Sequence, residues 1–473
     1  MTELKLDPQI EKEIEKLSWP EAPKIMTEIP GPKSKALWDK EMANETVTRM
    51  CPNIFGGSWA EAFGATIKDS DGNIIIDLVS GVGVNTVGHC HPKVVEVIRR
   101  ECAILGHTSD MVNPNRQKLG EKLSQIAPGN LKGNVRMQYG LSGTSAIETA
   151  VKFARKATGR QFTGTFDGCF HGCIGEAGVL SSFIDSRAEG LALNAFHYPI
   201  HPYAYCYRCP FRMKYPECDL ECAKYVEWQL TNPRSAIDAE NIASFLIEPF
   251  QAEGGCVFPP DGYLNKIKAM CEKFGILYLD DEVQAGMGRT AKFFAVEHYG
   301  VEPDIIILGK AMGGDVPFSG MVINNKTAEK LLPASHVITA VGNATSCAVA
   351  YTNIELLQNG LLERGAILGE YLKASLQDMA KEREIIGDVR GKGMAVGLEL
   401  VKDRETKEPL DGEVMKRILL TLRDRGVYEM PCGRYDNVLR VLPPLVITKA
   451  HLDKALEIVS EVLKEVESDI LKK

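Results

Sequence analysis

The sequence predicts an α/β fold, with a mainly parallel central sheet in a large domain and a smaller α+β domain beside it. Three apolar runs of strand length carry that prediction: SFLIE (Ser244 to Glu248), ILYLD (Ile276 to Asp280) and DIIIL (Asp304 to Leu308). The first stops at Glu248-Pro249, as a buried strand would. Between the first two runs, Leu264, Ile267, Cys271 and Phe274 fall at helical spacing, Lys273 sits in the last turn and Gly275 supplies a left-handed stop. Strand, helix and strand at this spacing make a right-handed crossover between parallel strands.

Taken in order, residues 1–90 include IKDSDGNIIIDLV, an Asp-Gly turn between strand-like runs, and are expected to pack with the C-terminal part. Residues 91–350 form the large domain, with a cysteine-rich insertion at about 201–225. Residues 351–473 form the smaller domain, with helical patterning from Asn353 to Leu372, the strand-like run MAVGLEL at 394–400 and a final helix from about Lys449. That last helix buries Leu452, Ala455, Val459, Val462 and Val466 on one face. There is no internal repeat or low-complexity segment.

At 473 residues and 44% hydrophobic, the chain is long enough to bury a large core. A net charge of -8 argues against a nucleic-acid or anionic-membrane surface, which needs concentrated positive charge. Small molecules are the expected partners. MTELKLDPQIEKEIEKLSWPEAP lacks the basic start and apolar run of a secretory signal, so a cytoplasmic location is expected. No apolar run approaches the ~20 residues that a membrane helix needs.

Ligands of open α/β sheets bind beyond the carboxyl ends of the strands, where Glu248, Asp281 and, just past its strand, Lys310 fall. Lys310 lies among the glycines of ILGKAMGG, which let a ligand approach closely. A lysine shielded from water becomes a neutral amine able to form a Schiff base. Pyridoxal phosphate needs such a lysine, together with a carboxylate that keeps its ring nitrogen protonated, a role open to Asp281. For the phosphate, YGLSGTSAIETAVKFAR (Tyr139 to Arg155) offers a Ser-Gly-Thr turn opening an amphipathic helix that buries Ile147, Ala150, Val151 and Ala154. Ser145 and Glu148 are placed for a capping box, and the free amides of Gly143 and Thr144 for an anion, although an ordinary helix cap looks much the same.

From about residue 50 onward the chain resembles the class III aminotransferases, the fold type I pyridoxal-phosphate group that includes ornithine, acetylornithine and 4-aminobutyrate aminotransferases. The resemblance is carried by GVGVNTVGHCHP, LSGTSAIETAVKFAR, FHG, EPFQAEGG, LDDEVQAGMGRT, PDIIILGKAMGG, TAVGN and VRGKG. It implies that Lys310 forms the internal aldimine and later moves the substrate proton, and that Asp281 pairs with the pyridine nitrogen. Val283 and Phe170 would bracket the ring, Gln284 would reach the ring hydroxyl, and Gly143 and Thr144 would hold the phosphate. Thr339 of a neighbouring subunit would join them, which implies a homodimer with shared sites. Plain core packing is the simpler use of Phe170 and Val283 when the residues are read alone.

The resemblance also implies transamination between an amino acid or ω-amine and a 2-oxo acid, by way of pyridoxamine phosphate. Glu253 of EPFQAEGG would switch a salt bridge with Arg390 of VRGKG. Closed, the bridge neutralises the arginine; open, it frees the guanidinium for a bidentate grip on an α-carboxylate. An ordinary ion pair is the plainer reading of the two residues. One departure matters: ornithine, acetylornithine and 4-aminobutyrate members usually carry an arginine soon after the FHG-like segment, where this chain has Cys173. Relatives that racemise or epimerise amino acids also lack that arginine, so a racemase on the same scaffold is the alternative.

The remaining signals are weaker. His89 and His91 precede a helix start, where capping or packing is the expected use rather than a metal, and His171 reads as a pocket wall. GVGVNTVG lacks full dinucleotide spacing. Cys206, Cys209, Cys218 and Cys222 are compatible with a metal knuckle, with disulfides or with free thiols, and a structural role is expected in each case.

Overall fold

The computed structural model describes residues 4–46, 48, 55–183 and 198–470, which divide into two compact units. One comprises Lys93–Leu357, the other Met1–Pro92 together with Gln358–Lys473.

The first unit is built on a seven-stranded sheet. Its strands are β1 (Val135–Gly140), β2 (Phe162–Phe166), β3 (Ile200–His201), β4 (Ile242–Ile247), β5 (Leu277–Asp281), β6 (Ile305–Leu308) and β7 (Ser319–Asn324). The order across the sheet is β1-β7-β6-β5-β4-β2-β3. Only β7 runs against the rest. The predicted crossover is present: β4 passes through helix α2 (Tyr263–Phe274) into β5, and α2 ends on Gly275 at φ 65°. All of β4 and β6 is buried, which is why these runs show no alternation.

Helix α1 (Gly143–Thr158) lays Ile147, Ala150, Val151 and Ala154 on this sheet, against Leu246, Leu279, Ile305 and Ile307. Each large apolar side chain buried there stabilises the fold by about 1.5–3 kcal/mol. Trimming one, as in Leu279→Ala, costs about 2–5 kcal/mol because a cavity remains. The helix starts differently from the expected Ser145/Glu148 box. Ser142 is the N-cap and Ser145 reciprocates, so the helix begins a residue triplet earlier, while Glu148 instead accepts from the Ala177 N–H at 2.8 Å.

Pairing brings Ile247 beside Asp280 and Asp281 beside Ile307. In consequence Glu248, Asp281 and Lys310 leave β4, β5 and β6 on one edge.

In the second unit, Thr66–Lys68 and Ile74–Asp77 pair antiparallel around the Asp-Gly turn, and Val427–Tyr428 joins the sheet parallel to Ile74–Asp77. A further sheet holds Ile386–Lys392, Ala395–Asp403, Val438–Val441 and Pro431–Cys432. The final helix, Lys449–Ile470, buries the five predicted positions Leu452, Ala455, Val459, Val462 and Val466. Arg364, 3% exposed, bonds the Glu11 carboxylate and the Leu445 and Ile447 carbonyls. His89 Nε2 and Asp77 Oδ2 meet at 2.7 Å, a buried contact that fixes the turn before helix Pro92–Ile104.

The helix expected over Asn353 to Leu372 is two helices, Ala344–Leu356 and Leu362–Glu382. Gly360 separates them at φ 111°, outside the helical range. A Cβ there would meet Ile10 Cδ1 at 2.1 Å, so close packing as well as conformation selects the glycine.

Candidate active site

The edge formed by β4, β5 and β6 opens on a cavity of about 150 Å3 lined by Gly143, Thr144, Phe170, His171, Gly172, Glu248, Glu253, Asp281, Val283, Gln284 and Lys310. Eight of the ten residues singled out above thus meet at one place. Of the other two, Thr339 lies exposed in a turn of the same unit. Arg390 lies in the second unit, where its guanidinium bonds Asp388 Oδ2 and Glu399 Oε2, each at 2.7 Å.

Asp281 is almost fully buried, with Oδ1 accepting from the Val283 N–H at 3.0 Å and Oδ2 at 2.6 Å from His171 Nδ1. His171 is therefore more than a wall. Burial disfavours a charged imidazole, but the neighbouring Cys169 and the Asp281 carboxylate outweigh it and raise the ring's proton affinity well above the ordinary value. Facing a carboxylate, His171 Nδ1 is the donor of this contact. His171 Nε2 lies 3.4 Å from Thr165 Oγ1, which in turn touches Cys169 Sγ at 3.0 Å.

Glu248 takes the Phe170 N–H on Oε1 at 2.9 Å and the Ala252 N–H on Oε2 at 3.3 Å. Its side chain thereby holds the turn that carries Phe170. Burial pushes the Glu248 acid well above the usual carboxyl range, with His171 opposing that shift. These two supporting roles were invisible locally: His171 and Asp281 are 110 positions apart, and Phe170 and Glu248 are 78.

Lys310 opens a short turn after β6 at φ 42°, a left-handed conformation for a residue with a side chain. Such strain persists only where the surroundings enforce it and marks functional positions. The floor of the cavity is the start of α1, whose first amides have no intrahelical acceptors. Two glycines keep it open. A Cβ on Gly143 would come 2.7 Å from Val283 Cγ1, and one on Gly172, at φ 146°, would come 2.6 Å from Thr144 Oγ1. Gln284 donates to Glu253 Oε1 at 3.3 Å, while its own Oε1 is buried without a protein donor. Free amides at a helix N-terminus suit a phosphate, the Gln284 oxygen suits a ring hydroxyl, and Asp281 suits a protonated ring nitrogen.

The cysteine-rich segment is separate. Cys206, Cys209, Cys218 and Cys222 line a small cavity of about 20 Å3 with Tyr203 and Phe211. Burial, with the other thiols, pushes Cys206 up to about 11 and Cys222 up to about 12. Among the described residues no group of three or more His, Cys, Asp or Glu is arranged to hold a metal ion. Nor is any helix among them long and apolar enough to cross a membrane.

The class defined by this fold and cavity is that of the fold type I pyridoxal-phosphate enzymes, and comparison with known proteins agrees. Residues 52–463 match the family described as aminotransferase class-III. The chain belongs to that family, whose cofactor is pyridoxal 5'-phosphate. It is 35% identical over 437 residues to a leucine/methionine racemase from Thermococcus litoralis, covering 90% of this chain and 96% of that one. It is 33% identical over 460 residues to a 4-aminobutyrate aminotransferase from Mycobacterium tuberculosis, covering 93% and 98%. Among solved structures, an amine transaminase from an uncultivated Pseudomonas species in its PLP-bound form superposes with a TM-score of 0.80 at 25% identity, over 90% of this chain and 98% of that one.

Proposed function

We propose that the protein is an aminotransferase, moving an amino group from an amino acid or an ω-amine of the 4-aminobutyrate or ornithine kind to a 2-oxo acid. The observation that carries this reading is the strained Lys310 sharing one cavity with Asp281 and with Glu253. When bound, pyridoxal phosphate supplies an electron sink for the pair released as the substrate Cα–H bond breaks. Asp281, backed by His171, would hold the positive charge on the ring nitrogen. Phe170 and Val283 would bracket the ring, Gln284 would orient its hydroxyl, and Gly143 and Thr144 would hold the phosphate through their amides. Lys310 would hold the cofactor through Nζ and would serve as the general base for the substrate Cα proton.

Glu253 and Arg390 are proposed as the selector for the two substrates. Paired, they leave the pocket open to an ω-amine; apart, they let the guanidinium bind an α-carboxylate. The working unit is proposed to be a cytoplasmic homodimer in which Thr339 of each copy completes the other's phosphate site. A monomeric mass by light scattering at assay concentration would contradict the shared site.

A second reading, an amino-acid racemase or epimerase, is favoured by a specific pair of observations. Cys173 stands where the resemblance to 4-aminobutyrate and ornithine aminotransferases leads one to expect an arginine, and the Thermococcus relative is named a leucine/methionine racemase. On this reading the proton returns to Cα from the opposite face. The test is incubation with single L-amino acids and ω-amines in D2O without any 2-oxo acid. A stoichiometric 2-oxo product with conversion of the bound cofactor to its amine form supports transamination. Deuterium at Cα with loss of chirality and an unchanged cofactor spectrum supports racemisation.

A further inference from the structure

Three acids stand in a row at Asp280, Asp281 and Glu282. Side chains along a strand alternate between its faces. Asp281 and Val283 line the cavity, so Asp280 and Glu282 point to the opposite side, where both are sealed from water. Glu282 accepts from the Val296 N–H through Oε1 at 2.8 Å. Its Oε2 and both Asp280 oxygens meet no donor. The group acting most strongly on Asp280, after burial itself, is the Glu282 carboxyl.

Buried oxygens without donors on two acids of the same face are incompatible with two ionised carboxylates, because their repulsion is unscreened and each charge lacks the donors it needs. One proton resolves both problems, turning one acid into a donor to the other. The backbone amide on Glu282 favours its ionised form, and Asp280 has no such support, which places the proton on Asp280.

We propose that Asp280 and Glu282 share a single proton behind β5, so that the pair carries one negative charge rather than two beside Asp281, with Asp280 acting as a positioning residue for the cofactor nitrogen. The last clause rests on the reading of Asp281 as the partner of that nitrogen; the shared proton does not. Titratable groups around the pair include Tyr278 and Asp281 from β5, and Glu297 and Tyr299 on the turn at 295–299, where His298 sets its Nε2 3.0 Å from the Thr290 carbonyl. Burial raises the proton affinity of both acids, and the Glu282 carboxyl adds to the rise at Asp280 while backbone amides oppose it at Glu282. An acid whose proton affinity is raised by folding stabilises the fold at low pH and loses that contribution as pH rises through the folded-state value.

The test is infrared difference spectroscopy of the full-length apoprotein at neutral pH, in H2O and D2O. Wild type minus Asp280→Asn is expected to show loss of one carboxylic-acid C=O band that shifts on deuteration. Glu282→Gln is expected to lose the same band, since its amide donates to Asp280 and releases the proton; this variant also serves if Asp280→Asn folds poorly. Wild type minus Asp281→Asn is expected to show loss of carboxylate bands only. In parallel, apoprotein stability to urea is expected to fall less steeply between about pH 6 and about pH 9 in Asp280→Asn than in wild type. If Asp280→Asn removes carboxylate bands and leaves the pH slope unchanged, Asp280 is ionised and the shared proton is refuted. Failure of the Asp281 reading shows separately, as an Asp281→Asn holoenzyme whose cofactor spectrum and its pH dependence match wild type.

Discussion

Replacing His171 with phenylalanine isolates what the ring does for Asp281. The substitution keeps an aromatic body in a fully buried position and removes the donor that sits 2.6 Å from Asp281 Oδ2. What remains is the single Val283 N–H at 3.0 Å on the other oxygen. A hydrogen bond to a charged group contributes about 1.5–3 kcal/mol, so the carboxylate loses enough support to weaken cofactor binding by about ten- to a hundredfold. Equilibrium dialysis of the reconstituted apoprotein against pyridoxal phosphate measures this directly.

The pH dependence supplies an independent check with a defined sign. His171 gains proton affinity on folding, so its contribution is complete below the unfolded value of about 6.5 and is lost as pH rises through the higher folded value. Apoprotein stability is therefore expected to fall more steeply on the alkaline side in wild type than in His171→Phe. His171→Asn, which retains an N–H donor but not the titration, is expected to recover cofactor affinity without recovering the slope. A His171→Phe protein with wild-type affinity and a wild-type slope would refute the supporting role of the ring.

Three further outcomes are expected. Lys310→Ala protein treated with borohydride in the presence of pyridoxal phosphate should carry no reduced cofactor by mass spectrometry; a retained adduct moves the covalent link to another lysine. Gly143→Ala should leave α1 intact but drive a methyl into Val283 Cγ1 at 2.7 Å, and overpacking of about 1–3 kcal/mol predicts cofactor affinity lowered by about tenfold or more. Unchanged affinity by dialysis removes Gly143 from the phosphate cradle. Glu11→Ala strips buried Arg364 of its carboxylate at 3.0 Å, leaving only carbonyl acceptors, and the urea midpoint should report a loss of about 3 kcal/mol. A midpoint equal to wild type means that the carbonyls alone satisfy the guanidinium.

The comparison of residues with fold shows which physical signals are local. The crossover from β4 through α2 to β5 was readable because uninterrupted apolar runs need burial on two faces and Gly275 at φ 65° is a stop that other residues resist. The reversal of β7 between β1 and β6 was not, since SGMVIN carries no mark of direction. Direction there follows from the connection: residues 309–318 return the chain to the same edge with the turn that carries Lys310, and a link that short does not accommodate the helical crossover of a parallel neighbour. The lysine therefore sits where the sheet changes direction, in the turn that joins β6 to the antiparallel β7, and its φ of 42° belongs to that turn. The cap of α1 was misread because LSGTS offers two serines of equal local merit, and only the approach of Glu148 to Ala177 decides between them. Likewise the acids of LDDEV read as one cluster in sequence, while strand alternation sends Asp281 to the cavity and its two neighbours behind it. Local chemistry thus named the groups, and the sheet determined which of them face one another: the interactions that set charge at this site, His171 with Asp281 and Asp280 with Glu282, depend on a distant strand in one case and on the choice of face in the other.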